Sequence, residues 1–163
     1  MRRIFAACVM VLALCGACHA GMLPDVVGEW RCVNENVQSL ITEYNHESHG
    51  KITYRTYTRE SPAGMLEVIL TEGSGAGSLY VPESVRAVKG VIPSESGFEL
   101  VKVSGHDAII EAQSYMPLVL AVNAGENITF TLESPSLNRE ELIRVAEEIL
   151  SWRNTNLDSF PAP

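Results

Sequence analysis

A chain of 163 residues, 46% hydrophobic and 20% charged, has ordinary globular composition; it can hold one folded domain, and this excludes a disordered polypeptide. Its 20 Asp and Glu against 12 Lys and Arg give a net charge of −8. That balance leaves no basic face for tracking nucleic-acid phosphates and no polybasic patch for holding an anionic bilayer.

The first twenty residues read as an export signal. Arg2 and Arg3 precede an uninterrupted apolar run from Ile4 to Leu14, and the small residues Gly16, Ala17 and Ala20 follow. A positive start, a short apolar stretch and then small residues is the layout of a secretory signal peptide, here 1–20. A membrane anchor would need about 20 apolar residues, and His19 ends the stretch first. Two ways of removing the peptide stay open. Gly16-Ala17-Cys18 is similar to a bacterial lipobox, which makes Cys18 the lipidated residue, although Cys15 stands where leucine is usual. Cleavage after Ala20 gives an ordinary secreted protein instead. By either route Cys32 is the one thiol left, so the domain forms no internal disulfide and relies on its core. Cys32 itself is expected to be a small buried hydrophobe.

Residues 21–153 read as a single α+β domain. Asn34 to Tyr44 places Val37, Leu40, Ile41 and Tyr44 at i, i+3, i+4 and i+7, which predicts a helix. Lys51 to Arg59 alternates β-branched and aromatic residues at period two and predicts a strand. Met65 to Leu70 is a second strand, bounded by Pro62-Ala63-Gly64 and the glycine-rich run Gly73 to Gly77; Leu79 to Val81 is a short edge strand stopped by Pro82. Phe98 to Val103 and Ala108 to Gln113 form a hairpin around Ser104-Gly105-His106-Asp107, and Leu118 to Val122 pairs with Ile128 to Glu133. Such short connections require antiparallel strands.

Asn138 to Trp152 predicts the last element, a helix with a capping box formed by Asn138 and Glu141 and a staple formed by Leu137 and Leu142. Leu142, Val145, Ala146, Ile149 and Leu150 make one apolar stripe, while Glu140, Arg144, Glu147, Glu148 and Ser151 stay wet. The stripe must lie on something apolar, and one face of the antiparallel sheet is the natural partner. Asn154 to Pro163 reads as a flexible tail.

The hairpin Val103-Ser104-Gly105-His106-Asp107-Ala108, the strand pair LVLAVNAGENITFTLES and the closing helix NREELIRVAEEIL, behind a signal peptide, resemble the PsbP-like group of exported bacterial α+β domains over residues 98–150. The resemblance implies a helix-flanked antiparallel sheet and an accessory or assembly role, and it carries over no catalytic residue. Gly28-Glu29-Trp30 is similar to the G-x-W that opens the first lipocalin strand, which implies a barrel and a small-ligand carrier as the alternative.

Chemistry-bearing motifs are few. Gly73 to Gly77 lacks the third glycine and the lysine of a phosphate loop, and Ser74 lacks the glycines of a nucleophile elbow. Glu43, His46 and His49 are spaced by three, so a helix extended that far would line a carboxylate and two imidazoles along one side, a set that binds zinc or a similar metal. A solvated loop is the alternative, because His46-Glu47-Ser48-His49 is one residue short of H-E-x-x-H and Gly50 ends the pattern. Tyr54, Tyr57, Tyr80 and Tyr115 could line a ligand groove or sit on a half-buried sheet.

The sequence thus describes an exported bacterial protein of periplasm or membrane surface that binds an envelope protein or a small ligand, without catalytic residues or a cofactor. A metal-dependent enzyme built on Glu43, His46 and His49 is the alternative.

Overall fold

The computed structural model describes residues 23–41, 48–74, 76, 96–113 and 115–157. The expected signal peptide with Cys18, the expected strand Leu79 to Val81 and the chain beyond residue 157 lie outside the described residues. Among the described residues, eight strands and one helix follow in order: β1 (Val26–Val27), β2 (Trp30–Ile41), β3 (Ser48–Glu60), β4 (Ala63–Glu72), β5 (Ser96–Val103), β6 (His106–Gln113), β7 (Leu118–Gly125), β8 (Ile128–Ser134) and α1 (Arg139–Leu157). The strands form one sheet in the order β1-β2-β3-β4-β8-β7-β6-β5, with every neighbouring pair antiparallel. Two meanders, β1 to β4 and β5 to β8, therefore join where β4 pairs with β8. At the β5–β6 turn, Ser104 and Gly105 both take positive φ, as a two-residue hairpin turn of the favoured twist requires.

Side chains alternate across a strand, so register decides which of them share a face. Val68, Leu132, Leu120 and Ile110 form one row across β4, β8, β7 and β6, and Leu70, Phe130, Val122 and Ala108 form the next. All eight are buried, and α1 adds Leu142, Val145, Ala146, Ile149 and Leu150 to the same core. The helix contacts β1, β5, β7 and β8. On the opposite face, Tyr54, Ile69, Thr131, Ala121, Ile109 and Leu100 make a continuous row, with Tyr54 and Leu100 exposed at its ends.

The sheet is open. β1 pairs only with β2 and β5 only with β6, so no pairing closes it and a lipocalin-like barrel is ruled out. The architecture is α+β, an antiparallel sheet with one C-terminal helix.

Two expectations are corrected. Asn34 to Ile41 belongs to β2 rather than to a helix, since its backbone pairs with β3 from Asn34↔Thr56 to Ile41↔Ser48. The apolar spacing that suggested a helix does not face the core, as Val37 is 55% exposed on this outer strand. Long-range pairing with β3 overrides the local period. The second correction concerns the tail, because α1 continues through residues 154–157. Thr155 Oγ1 donates to the Ser151 carbonyl at 2.9 Å and Asn156 Nδ2 to the Trp152 carbonyl at 2.8 Å, so polar residues that often end helices here bond back to the preceding turn.

The helix begins as the capping box predicts. Asn138 Oδ1 accepts the Glu141 N–H at 3.0 Å, and Glu141 Oε2 accepts the Asn138 N–H at 3.0 Å. Next to this cap, Arg139 donates through Nε and Nη2 to both oxygens of Glu99, tying the helix to edge strand β5. Hydrogen bonds from Arg139 hold the Glu99 carboxyl below the usual glutamate range, against the opposing effect of burial. A depressed carboxylate pKa stabilises the fold above the unfolded value, about 4.3, and that contribution disappears as pH falls through the folded value. Glu99→Gln is therefore expected to flatten the acid limb of a plot of Tm against pH. The difference at neutral pH should be about 1 kcal/mol or less, as for other partly exposed pairs. An unchanged acid limb would remove Glu99 from the pH response.

Candidate functional site

The chain enters the fold along the inner face of β3, where a buried arginine fastens it. Arg55, 1% exposed, donates through Nη1 to the Leu23 carbonyl at 2.7 Å and to Asp25 at 3.1 Å, and through Nε to Glu35. Tyr57, two residues on and on the same face, donates its hydroxyl to the Pro24 carbonyl at 2.7 Å. Burial pulls the Arg55 guanidinium's pKa down, Tyr57 and Glu35 push it up, and the net displacement is upward. Burial likewise raises the Tyr57 phenol above its usual range, although Arg55 opposes it. Both groups thus keep their protons, and residues 23–25 are held as cover for the first meander.

This clamp fixes β1 and the Gly28-Glu29 turn that leads to Trp30. Gly28 has φ +54°, a conformation that favours glycine, and its bare Cα leaves room for the Glu148 carboxylate, whose Oε2 would lie 2.8 Å from a Cβ there. The Trp30 indole is buried, and Arg59 of β3 lies over it with Cζ 4.6 Å from the ring centroid, a cation–π contact. Val27, Gly28, Glu29, Trp30, Arg59, Arg144, Val145 and Glu148 enclose a cavity of about 290 Å³. A second hollow of about 350 Å³ shares Val27, Gly28 and Glu148 and continues past Pro24, Val26, Ser151, Trp152, Thr155 and Asn156. Together they make a groove between the β1–β2 turn and one side of α1, with a tryptophan in each part.

The first part of the groove is amphoteric. Arg59 and Arg144 face it beside Glu29 and Glu148, yet among the described residues none of these four makes an ion pair. Arg59 Nε is buried with no hydrogen-bond partner, so no protein acceptor holds that edge of the guanidinium.

Of the expected metal set only His49 lies within the described residues. His49 lies in β3, half-buried, with Nδ1 3.4 Å from Ser74 Oγ, while Glu43 and His46 lie outside the described residues. The helix that was to align the three is replaced by strand as far as Ile41. Among the described residues no group of three His, Cys, Asp or Glu could hold a metal ion. Cys32 is half-buried at the edge of the core, rather than fully buried, and its thiol contacts the Asn34 carbonyl at 3.4 Å. The tyrosines do not share a groove, because Tyr54 and Tyr57 take opposite faces of β3 and Tyr115 is fully exposed; Tyr80 lies outside the described residues.

The groove itself was missed by sequence reading. Arg144 and Glu148 read as a wet helix face, which they are, but the β1–β2 turn brings a wall up beside them. The available signal was Gly28-Glu29-Trp30, a glycine forced open next to a large aromatic residue. Comparison with protein-family models, with curated proteins and with solved structures finds no match to this chain.

Proposed function

We propose that this is an exported protein of the bacterial envelope that acts as a non-enzymatic binding or accessory module for an envelope protein or a small ligand. The observation that carries the reading is the groove between the β1–β2 turn and α1, which has tryptophans in both parts and four charged side chains that make no ion pair among the described residues. Small-molecule sites are concave, with an apolar wall and a few converging polar groups, and this groove has that composition. The PsbP-like pattern of residues 98–150 supports an accessory role, and the layout of residues 1–20 supports export. The acidic composition supports a partner other than nucleic acid.

A photo-crosslinking amino acid placed at Glu29 or Ser151 tests the groove in living cells, with one placed at Thr131 on the opposite face as the control. The groove positions should give specific adducts that the control does not. Adducts of equal pattern from all three positions would contradict a binding role for the groove.

The anchoring of the module is tested separately. With Cys18 lipidated, two acyl chains at about 0.8 kcal/mol per buried CH₂ give stable membrane attachment. Cys18→Ala is then expected to shift the protein from the detergent phase to the aqueous phase or to block its processing, whereas Cys15→Ala does neither. A wild-type protein found wholly in the aqueous phase, starting at Gly21, would make it an ordinary secreted protein.

A further inference from the structure

We infer that the first part of the groove binds a small zwitterion, a compact molecule carrying one carboxylate and one amine on a partly apolar body, of which a free α-amino acid is the simplest case. The inference rests on the binding-module reading above and goes beyond it by assigning the ligand's chemistry.

Two cationic and two anionic side chains line one cavity of about 290 Å³ without closing on one another. Long, opposite charges on a protein surface pair readily when nothing holds them apart. Here Arg59 and Glu148 each lie against another group. The Arg59 guanidinium is stacked over Trp30, with 4.6 Å between Cζ and the ring centroid. The Glu148 carboxylate lies over the bare Cα of Gly28. Arg144 precedes Glu148 by one helical turn, the less favourable order for a pair at i and i+4. The result is a cavity lined by unpaired charges of both signs, with a formal lining charge that cancels.

A ligand with a single charge gains little there, since the attraction of one pair is offset by the repulsion of the other. A ligand with both charges meets a complementary partner for each of them. Arg59 lines the cavity without an ion pair among the described residues and offers its planar guanidinium to a carboxylate, the geometry in which arginine exceeds lysine. Glu148 accepts hydrogen bonds from the ammonium group. Trp30, Val27 and Val145 form the apolar wall against which the body of the ligand rests. The size agrees: small-molecule sites span roughly 300–1,000 Å³, and this cavity lies at the lower end, suited to an amino-acid-sized molecule.

Three related probes separate the contributions. L-Phenylalanine carries both charges, 3-phenylpropionate only the carboxylate and phenethylamine only the amine. Calorimetric titration of the purified protein, with tryptophan fluorescence as a second signal, is expected to show L-phenylalanine binding at least about tenfold more tightly than either analogue, a difference of about 1.4 kcal/mol. Arg59→Gln should weaken L-phenylalanine about tenfold and leave phenethylamine unchanged, while Glu148→Gln should weaken L-phenylalanine similarly and leave 3-phenylpropionate unchanged. Thermal melts of both variants establish that they fold. If a singly charged analogue binds as tightly as L-phenylalanine, the zwitterion assignment is wrong although the groove remains a binding site. If none of the three binds, the inference is overturned, and the crosslinking experiment decides the binding-module reading independently.

Discussion

Replacing Arg55 with methionine is expected to destabilise the protein by about 3–5 kcal/mol, the cost of removing one partner from a buried charge network. The side chain has no solvent exposure, and Glu35 opposite it is only 16% exposed. Without the guanidinium, the Glu35 carboxylate and the Leu23 carbonyl lose their donor in a site that water reaches poorly. The effect should also be local, because Arg55 fastens residues 23–25 and hence β1 and the wall beside Trp30. Trp30 fluorescence should therefore move toward that of a solvated indole before the global unfolding transition. The double variant Arg55→Met with Glu35→Leu should recover much of the lost stability, since a buried pair replaced by apolar groups is often neutral. A single variant as stable as the wild type in urea would show that the network contributes nothing to the fold.

Ile149→Asp is expected to abolish the cooperative transition. Ile149 has no exposure and stands in the middle of the stripe that α1 presents to the sheet. Truncating such a side chain alone costs about 2–5 kcal/mol. Aspartate adds the desolvation of a carboxyl group with no partner in an apolar core. The sum approaches the whole stability of a typical domain, about 5–15 kcal/mol. Ile149→Val, which keeps the shape, should cost only about 0.5–1.5 kcal/mol. A denaturant midpoint unmoved by aspartate would contradict the packing of α1 on the sheet.

What was legible in the sequence follows the range over which each signal acts. The capping box at Asn138 and Glu141, the stripe from Leu142 to Leu150 and the two hairpins of the second meander are set by residues a few positions apart, and they appear where the pattern puts them. β2 failed because its spacing fits a helix locally while its ladder partner, β3, lies many residues downstream. The buried charges were invisible for the same reason. Arg55 is answered by Asp25 and Glu35, and Arg153, at 3% exposure, lies 4.0 Å from Glu72 on a different element. Burial lowers the Arg153 pKa and the Glu72 carboxylate partly restores it, a relation no local pattern encodes. The groove combines both cases, since Arg144 and Glu148 follow from helical periodicity but their juxtaposition with Glu29 and Arg59 is made by the turn at Gly28.

The join between β4 and β8 imposes an order on synthesis. A nascent chain emerges N-terminus first, and β1 to β4 pair as neighbours as soon as they are made. Their inner face of Leu66, Val68 and Leu70 then has no partner until β8 and α1, the last of the described elements, have been added. A ribosome engaged on this message therefore carries an uncovered apolar sheet from the completion of β4 until β8 and α1 are made, with a free edge on β4 waiting for β8. Such a species is what holdase chaperones bind and what aggregates without them. Premature termination before Arg139 should accordingly yield aggregates or proteolysed fragments instead of a shorter folded protein. The dependence on β8 and α1 means that only chains extending through both reach the folded state.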